Sequence, residues 1–437
     1  MKSSIEGSET EQAVLAKWQE PDWERWLAAQ GGDWQELARV SGALQRQRKV
    51  KSAGDLLRLV LAYAVCDWSL RLVGMWATIQ KIAGLSDVAL LYRFCRCQRW
   101  LGRLVVGVLQ ARSTELQQRG GVRVRLIDAT VISRPGSTGT DWRVHASFDL
   151  EQMCLDGLEI SDAHGRESLV RFPTRADEIV IADRIYALAS SLGAILASTA
   201  RLVVRVGWNN LPLQTPAGER LVLPTWLSSV KRMCERSVQV ATPQGVFSLR
   251  LVACPLPPAQ AQAARERVSL QARKKGKQLN PNTYLAAGFG LLLTNLPAET
   301  WEASRIVWLY RLRWQVELLF KRLKSLLALD HLRAQDPRLV QTYLLAKLLA
   351  ALLLEHFVHQ ARTQQPNWFA ATKRPLSLWR LSALLWLGLR NLIVGPLSFH
   401  QILAALPALQ RYLCDAPRAR CQQLARARSI INRLCGI

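Results

Sequence analysis

The sequence predicts a mixed α/β protein in which a sheet-forming middle is flanked by all-helical regions at both ends. Three observations carry this. Apolar residues recur with a helical period from Asp22 to Ser113, the period drops to two at Gly121, and the helical period returns after Pro297. The intervening runs are rich in Val, Ile and Leu and are punctuated by Gly and Pro, as short strands are.

Residues 1–21 are polar and read as loosely held. Within the helical stretch that follows, Thr78–Ala83, Gly84-Leu85-Ser86 and Asp87–Cys97 read as helix, tight turn and helix. Gly84 is the expected helix stop and Ser86 the expected N-cap. The second helix is expected to carry Arg93, Arg96 and Arg99, as a recognition helix in a groove would, so residues 1–115 are expected to form a helical DNA-binding domain, although any two packed helices share this pattern.

From Gly121 the chain gives VRVRLIDAT, a strand closing on Asp128, then TDWRVHASFDL and MCLDGLEISD as second and third strands. A helix-compatible polar segment follows. EIVIADRIY is next, a strand closing on Asp183 and running into an apolar helix, Ile185–Thr199, before RLVVRVGW resumes strand. Three strands in a meander, then helix, strand, helix and strand, is the order of an RNase H-like α/β domain. Residues 209–298 depart from it: ERLVLPTW, RSVQVA, VFSLRLVAC and FGLLLTNLP read as strands of a β-rich insertion, interrupted by a basic loop over Arg265–Lys277. The predicted organisation is an RNase H-like catalytic core, residues 116–208 and 299–335, interrupted by that β-rich insertion. The helical domain at 1–115 and a helical region at 336–437 complete the chain.

A chain of 437 residues with 49% hydrophobic content is long enough for two or three domains with real cores. Its formal net charge of +25, from 58 Lys and Arg against 33 Asp and Glu, calls for a polyanionic partner. Nucleic acid fits better than a membrane surface, because the charge is spread along the chain and not gathered in one amphipathic segment. The best apolar run, Tyr343–Val358, is broken by Lys347 and Glu355 and is too short to cross a bilayer. The start, MKSSIEGSETEQ, lacks the plan of a signal peptide. Nine cysteines make no CxxC and no cluster at zinc spacing, which reads as reduced thiols in a cytosolic protein. His145, His164 and the His356-x-x-His359 pair show no defensible metal spacing.

The candidate chemistry lies in Tyr310–Lys324, YRLRWQVELLFKRLK. Read as one helix, it puts Tyr310, Arg313, Glu317 and Lys324 on one narrow face, with Leu312, Val316, Leu319, Phe320, Leu323 and Leu327 on the adjoining buried side. A single carboxylate framed by cations suits a metal ligand beside a phosphodiester backbone, although a core helix with a basic exposed side gives the same pattern. Asp128 and Asp183, each expected at a strand end, supply two more acids. Three carboxylates brought together repel, and a hard divalent cation such as Mg²⁺ removes that cost. Two such ions stabilise the attacking and leaving oxygens of a displacement at phosphorus.

Tyr310-x2-Arg313-x3-Glu317-x6-Lys324 meets every spacing of the Y-x2-R-x3-E-x6-K signature. With Asp128 in IDAT and Asp183 in ADRIY, the chain resembles bacterial insertion-sequence transposases of the DDE type, in the IS-four family. The similarity runs over roughly residues 45–335, and LLLTNLP (Leu291–Pro297) resembles that family's exit from its insertion. The resemblance implies a cut-and-paste transposase: Asp128, Asp183 and Glu317 hold two Mg²⁺ ions, with Mn²⁺ able to substitute, while Tyr310, Arg313 and Lys324 grip the DNA backbone. Lys321, Arg273, Lys274, Lys275, Lys277, Arg93 and Arg96 are further candidates for DNA contact. The expected partners are double-stranded DNA (terminal inverted repeats and target) and a second copy in a homodimer, with no membrane, in the bacterial cytoplasm at the nucleoid. Relatives stack an aromatic from the insertion on a flipped base, and Phe289, Trp226 and Trp208 are candidates here. One departure stands out. Ile185 replaces the Gly usual after the second acid and its Arg, which predicts backbone strain, a shifted helix start, or an inactive DNA-binding relative. A stand-alone nuclease of the same fold would share the acids and stop at hydrolysis.

Overall fold

The computed structural model describes residues 33–117, 122–364 and 377–396, together with Trp23, Leu27, Ser398, His400, Gln401, Ala404, Ala405, Ala408 and Leu409. The expectation for residues 1–21 lies outside the described residues. The chain divides into two compact units, one made of Met1–Val105 and Arg333–Ile437 and the other of Val106–Leu332.

The first unit is helical. Its described helices are α1 (Trp34–Val40), α2 (Ala53–Val65), α3 (Leu70–Ile79), α4 (Asp87–Phe94), the start of α5 (Gln98–Gln117), α12 (Pro337–Gln364) and α13 (Leu378–Val394). Ser52 and Asp55 close a capping box that starts α2, and nearly every α2 side chain is buried against α12 and α13. The end of α13 is held by side chains from α2, α3 and the turn after α3. Arg58 Nε donates to Ile393 O at 2.7 Å, Trp76 Nε1 to Val394 O at 2.9 Å and Gln80 Nε2 to Pro396 O at 2.7 Å. The first two bonds satisfy carbonyls that a helix C-terminus leaves open, and the third holds the chain just past the Gly395 cap. Within α12, Pro337–Arg362 is long and apolar enough to cross a bilayer, beyond the shorter run expected, yet 78% of its most apolar window is buried. Lys347, fully buried in it, lies over the Tyr343 ring at 4.2 Å.

Ser86 caps α4 as expected, its Oγ accepting from Ala89 N at 3.2 Å. Gly84 is not the preceding helix stop. α3 ends at Ile79, and Lys81 takes the left-handed conformation, at φ 56°. The following helix ends at Phe94, so it carries Arg93 but neither Arg96 nor Arg99.

The second unit is one eight-stranded sheet, in the order β3-β2-β1-β4-β5-β8-β7-β6. Its strands are β1 (Val124–Ile132), β2 (Trp142–Asp149), β3 (Cys154–Asp162), β4 (Ile179–Ala182), β5 (Arg201–Arg205), β6 (Cys234–Thr242), β7 (Gly245–Pro255) and β8 (Phe289–Thr294). β1, β2 and β3 pair antiparallel as a meander, and β4 and β5 continue the sheet parallel to β1. β8 pairs antiparallel with β5, and β7 and β6 follow in turn, so the strands expected as an insertion extend the same sheet.

α6 (Ala189–Leu196) and α7 (Leu223–Ser229) bury Leu192, Ile195, Leu223 and Leu227 in a core shared with Ile127, Ala182, Val204, Leu251 and Leu293 of the sheet. α10 (Ala303–Arg311) packs against β5 and α11 (Trp314–Leu327) against β1, with Val316, Leu319, Phe320, Leu323 and Leu327 buried. Leu312, expected in that stripe, is 41% exposed because it lies in the break between the two helices.

Four local expectations are corrected. The segment between β3 and β4 forms one 3-10 turn, Leu169–Arg171, and no α-helix. ERLVLPTW enters α7 rather than a strand, since Pro224 suits a first helical turn and interrupts a ladder. The basic segment expected as a loop is mostly helix α8, Pro258–Lys274, followed by α9, Pro281–Ala286. Ala, Gln and Arg are strong helix formers, and their propensity prevails where no apolar period exists to reveal the helix. Lastly, β1 does not close on Asp128; its pairing with β2 continues to Ile132.

Candidate active site

The sheet register brings two of the acids together. Ile127 of β1 pairs with Ala182 of β4, and Ala182 pairs with Val204 of β5. The next residue in each column is Asp128, Asp183 and Arg205. Neighbouring strands are about 4.8 Å apart, so these three form one row where the parallel ladder stops. Asp128 lies mid-strand with respect to β2 but at the end of its pairing with β4. Side chains alternate along a strand, so Asp128 points away from the face of Ile127 and toward the side where α11 packs on β1.

The third acid arrives from α11, and the chain entering it is broken. α10 ends at Arg311 and α11 begins at Trp314; Arg313 N bonds Tyr310 O at 3.0 Å and Val316 N bonds Arg313 O at 3.2 Å, both tighter turns than an α-helix makes. The expected single helix is therefore two, yet its face still converges. Tyr310 Oη donates to Asp183 Oδ1 at 3.0 Å. Arg313 Nη1 makes a long contact with Asp128 Oδ2 at 3.4 Å, and its Nη2 donates to Glu317 Oε1. The same guanidinium lies 5.8 Å from the Tyr310 ring centroid. Arg313 thus ties Asp128 to Glu317, while Tyr310 holds Asp183.

Burial raises the Asp128 carboxyl to about 6, against the Ala129 N–H and Arg313, with the neighbouring Asp183 and Glu317 pushing the same way. Burial also lifts Asp183, but the Arg184 N–H, Arg313, Arg205 and the Tyr310 hydroxyl outweigh it and hold that acid below its usual range. Burial and the Asp183 charge raise the Tyr310 phenol. Burial thus governs Asp128, whereas donors and cations govern Asp183, so the two acids are pushed apart.

Ile185 causes no strain. It lies in a 3-10 turn, Arg184–Tyr186, is exposed, and is not among the described residues with positive φ. The helix start moves to Ala189, after Asp183 has taken an N-cap position with extended backbone.

A family model described as "Transposase DDE domain" matches residues 119–353. The transposase for insertion sequence element IS421 of Escherichia coli is 37% identical over 346 residues, covering 77% of this chain and 93% of the relative. InsL, for insertion sequence element IS186A of Escherichia coli strain K12, has the same identity over 345 residues, again covering 77% and 93%. The transposase for IS231F of Bacillus thuringiensis subsp. israelensis is 33% identical over 119 residues, 27% of this chain and 25% of the relative.

This chain belongs to the DDE transposases. It is an enzyme that cleaves DNA and transfers strands, and the family implies use of a divalent metal.

The remaining candidates of this transposase fall elsewhere. Lys321 and Lys324 lie one and two turns beyond Glu317 on α11. Arg273 and Lys274 end α8, with Lys275 and Lys277 in the turn after it, and all four are exposed. Arg93 and Arg96 belong to the helical unit, Arg93 half-buried and Arg96 exposed. Trp208, Trp226 and Phe289 pack against the sheet core; Trp208 Nε1 donates to Thr283 Oγ1 at 3.2 Å, and Arg236 lies 5.6 Å from the Trp226 ring. His145 is buried, with Nε2 2.8 Å from Ser161 Oγ, and burial with Arg171 and Arg143 pushes its imidazole down to about 4. Arg205 was not legible as a site residue in the sequence. Its only signal is that RLVVR ends one residue past the same register row as EIVIA.

Proposed function

We propose that Asp128, Asp183 and Glu317 are the catalytic acids of a cut-and-paste transposase and that they hold two divalent cations, Mg²⁺ in the cell. The observation that supports this most is the convergence of three carboxylates from β1, the end of β4 and α11 on one edge, tied by Arg313 and Tyr310. Their oxygens are a hard donor set of the kind Mg²⁺ prefers. Among the described residues no three His, Cys, Asp or Glu side chains are grouped closely enough to hold one ion. Arg313 lies between Asp128 and Glu317, so binding a cation there requires its guanidinium to yield its place.

When bound, the metals would polarise the phosphodiester and lower the pKa of an attacking water. The chain's own residues have separate tasks. Tyr310 orients Asp183 through its hydroxyl. Arg313, once displaced from the acids, is placed to take a DNA phosphate oxygen, as a planar guanidinium does well. Lys324 and Lys321 carry positive charge further along α11 toward the backbone. Hydrolysis at each transposon end would free a 3′-OH, which then attacks target DNA. The strand order β3-β2-β1-β4-β5 with its antiparallel and parallel pairings supports an RNase H-like core, and the helical unit with Arg93 and Arg96 supplies further DNA contact. Inverted terminal repeats, target DNA and a second copy are the partners, at the cytoplasmic nucleoid.

The test uses purified protein with end DNA and Mg²⁺. Nicked ends and joined end–target molecules are expected; a Glu317→Ala variant that cleaves normally overturns the assignment of the acids, and nicking without joining leaves only a nuclease.

A further inference from the structure

We propose that α8 is an arm that grips the phosphate backbone of duplex DNA beside the acid-bearing edge; this rests on the catalytic reading of that edge and extends it. The helix is anomalous as a structural element. Of its 17 residues only Ala261 is buried, so it lacks the apolar stripe by which helices normally earn their place. What seats it is Arg265, whose guanidinium lies 5.3 Å from the Tyr284 ring of α9 and packs against Gly288, where a Cβ would meet Arg265 Nη2 at 2.8 Å. The guanidinium therefore sits directly against the backbone at Gly288, between that glycine and the Tyr284 ring.

Beyond that anchor the chain is charged and exposed. Arg267, Arg273, Lys274, Lys275 and Lys277 face one acid, Glu266, whose Oε1 accepts from Gln262 Nε2 at 2.9 Å. No carboxylate is paired with Arg273, Lys274, Lys275 or Lys277 among the described residues. Gly276, at φ 60°, reverses the chain between Lys275 and Lys277. Four cations at one tip repel, and a polyanion is the partner that relieves them.

The topology says where this tip projects. β7 ends at Pro255, which pairs with Phe289 at the start of β8; β8 in turn pairs Leu292 with Arg205, the residue beside Asp183 in the register row. The excursion through α8 and α9 therefore leaves and re-enters the sheet at the edge that carries Asp128 and Asp183. β8 and β7 are two and three strands from β4, about 10–14 Å along that edge. The helix adds roughly 14 Å between Arg265 and Lys274. The tip cations therefore stand on the same edge as the Asp183 column, one helix segment beyond the Arg265 anchor. A rigid cationic arm on that edge suits the DNA flanking the scissile phosphate. It reads phosphates and no sequence.

The experiment measures binding of the full-length protein to a 30-base-pair duplex containing the transposon end, and to a 6-base-pair duplex centred on the cleavage position, across a salt series. The variant replaces Arg273, Lys274, Lys275 and Lys277 with Gln. On the long duplex, the slope of log K against log salt is expected to become shallower by about 2–4, near 0.9 per lost phosphate contact. Affinity at low salt is expected to fall at least tenfold, with no change on the short duplex. A second variant, Arg265→Met, keeps all four tip cations while removing the guanidinium that lies against Tyr284 and Gly288, and is expected to lose the same long-duplex advantage. Equal salt slopes for wild type and the Gln variant overturn the proposal, as does an equal loss on both duplexes. Glu317→Ala separates this from the catalytic reading: it is expected to keep the full salt slope while losing cleavage, so each idea fails by its own measurement.

Discussion

β1 and β4 each carry charge at both ends, and the two ends are built differently. At their starts, Arg123 bonds Asp149 at 2.6 Å and Asp156 at 2.7 Å, Arg175 bonds Asp156 at 3.1 Å, and Arg125 bonds Glu178 at 2.5 Å. Three arginines meet three acids, and Arg125 and Glu178 are 1% and 0% exposed. Beyond their paired stretch lie Asp128 and Asp183, joined by Glu317, with Arg313 shared between Asp128 and Glu317. The first cluster matches arginines to acids in number and is largely buried, and burial raises Glu178 to about 7 despite Arg125. The second is acid-rich and open to solvent on one side, with Glu317 at 34% side-chain exposure. Burial with an arginine for each acid makes an ionic cluster structural, whereas an excess of acids at an accessible edge leaves work for a metal and a phosphate.

Substitutions should tell the two ends apart. The largest effect is expected at the acid-rich end: Asp183→Asn or Glu317→Ala should lower the cleavage rate by about 10,000-fold, the several kcal/mol a metal supplies to a phosphoryl transition state, with the melting temperature little changed. At the balanced end, Arg125→Met should cost about 3–5 kcal/mol in urea denaturation, because it leaves Glu178 buried without its cation. Pairing that change with Glu178→Leu should recover much of the loss. If Arg125→Met instead abolished cleavage at full stability, the division of labour would be wrong.

His145, on the strand beside Asp128, gives a smaller effect of defined sign. Its folded pKa is depressed to about 4, so between pH 6.5 and 4 the unfolded chain binds a proton that the folded chain refuses. Stability should therefore fall as pH drops through that window, and His145→Gln should remove about 1–2 kcal/mol of the fall, read from denaturation at pH 7 and pH 5. The smallest effect is expected for Asp128→Asn, which should stabilise the protein in chelator by about 1 kcal/mol at pH 8, since it removes a charge that burial, and then Asp183 and Glu317, disfavour, even as it removes activity. A destabilised Asp128→Asn protein would mean that the Arg313 contact outweighs the cost of burying that charge.

Much of this was legible in the chain itself. The acids, the Tyr310-to-Lys324 spacing and the strand content are local patterns: period-two runs ending near Asp128 and Asp183, and one carboxylate among cations on an amphipathic segment. Such features follow from side-chain order and need no partner strand to be seen. The tertiary structure decided everything that depends on register. Only cross-strand pairing shows that Asp128, Asp183 and Arg205 share one row, that β1 runs past Asp128, and that the supposed insertion extends the same sheet. It also decided where Arg313 points, because a break at Leu312 turns one expected helix into two. The helical arm of residues 258–274 lay between these cases. Its Ala, Gln and Arg content favours a helix locally, but with almost nothing buried there was no periodicity to announce it, and only the sheet shows which edge it stands on.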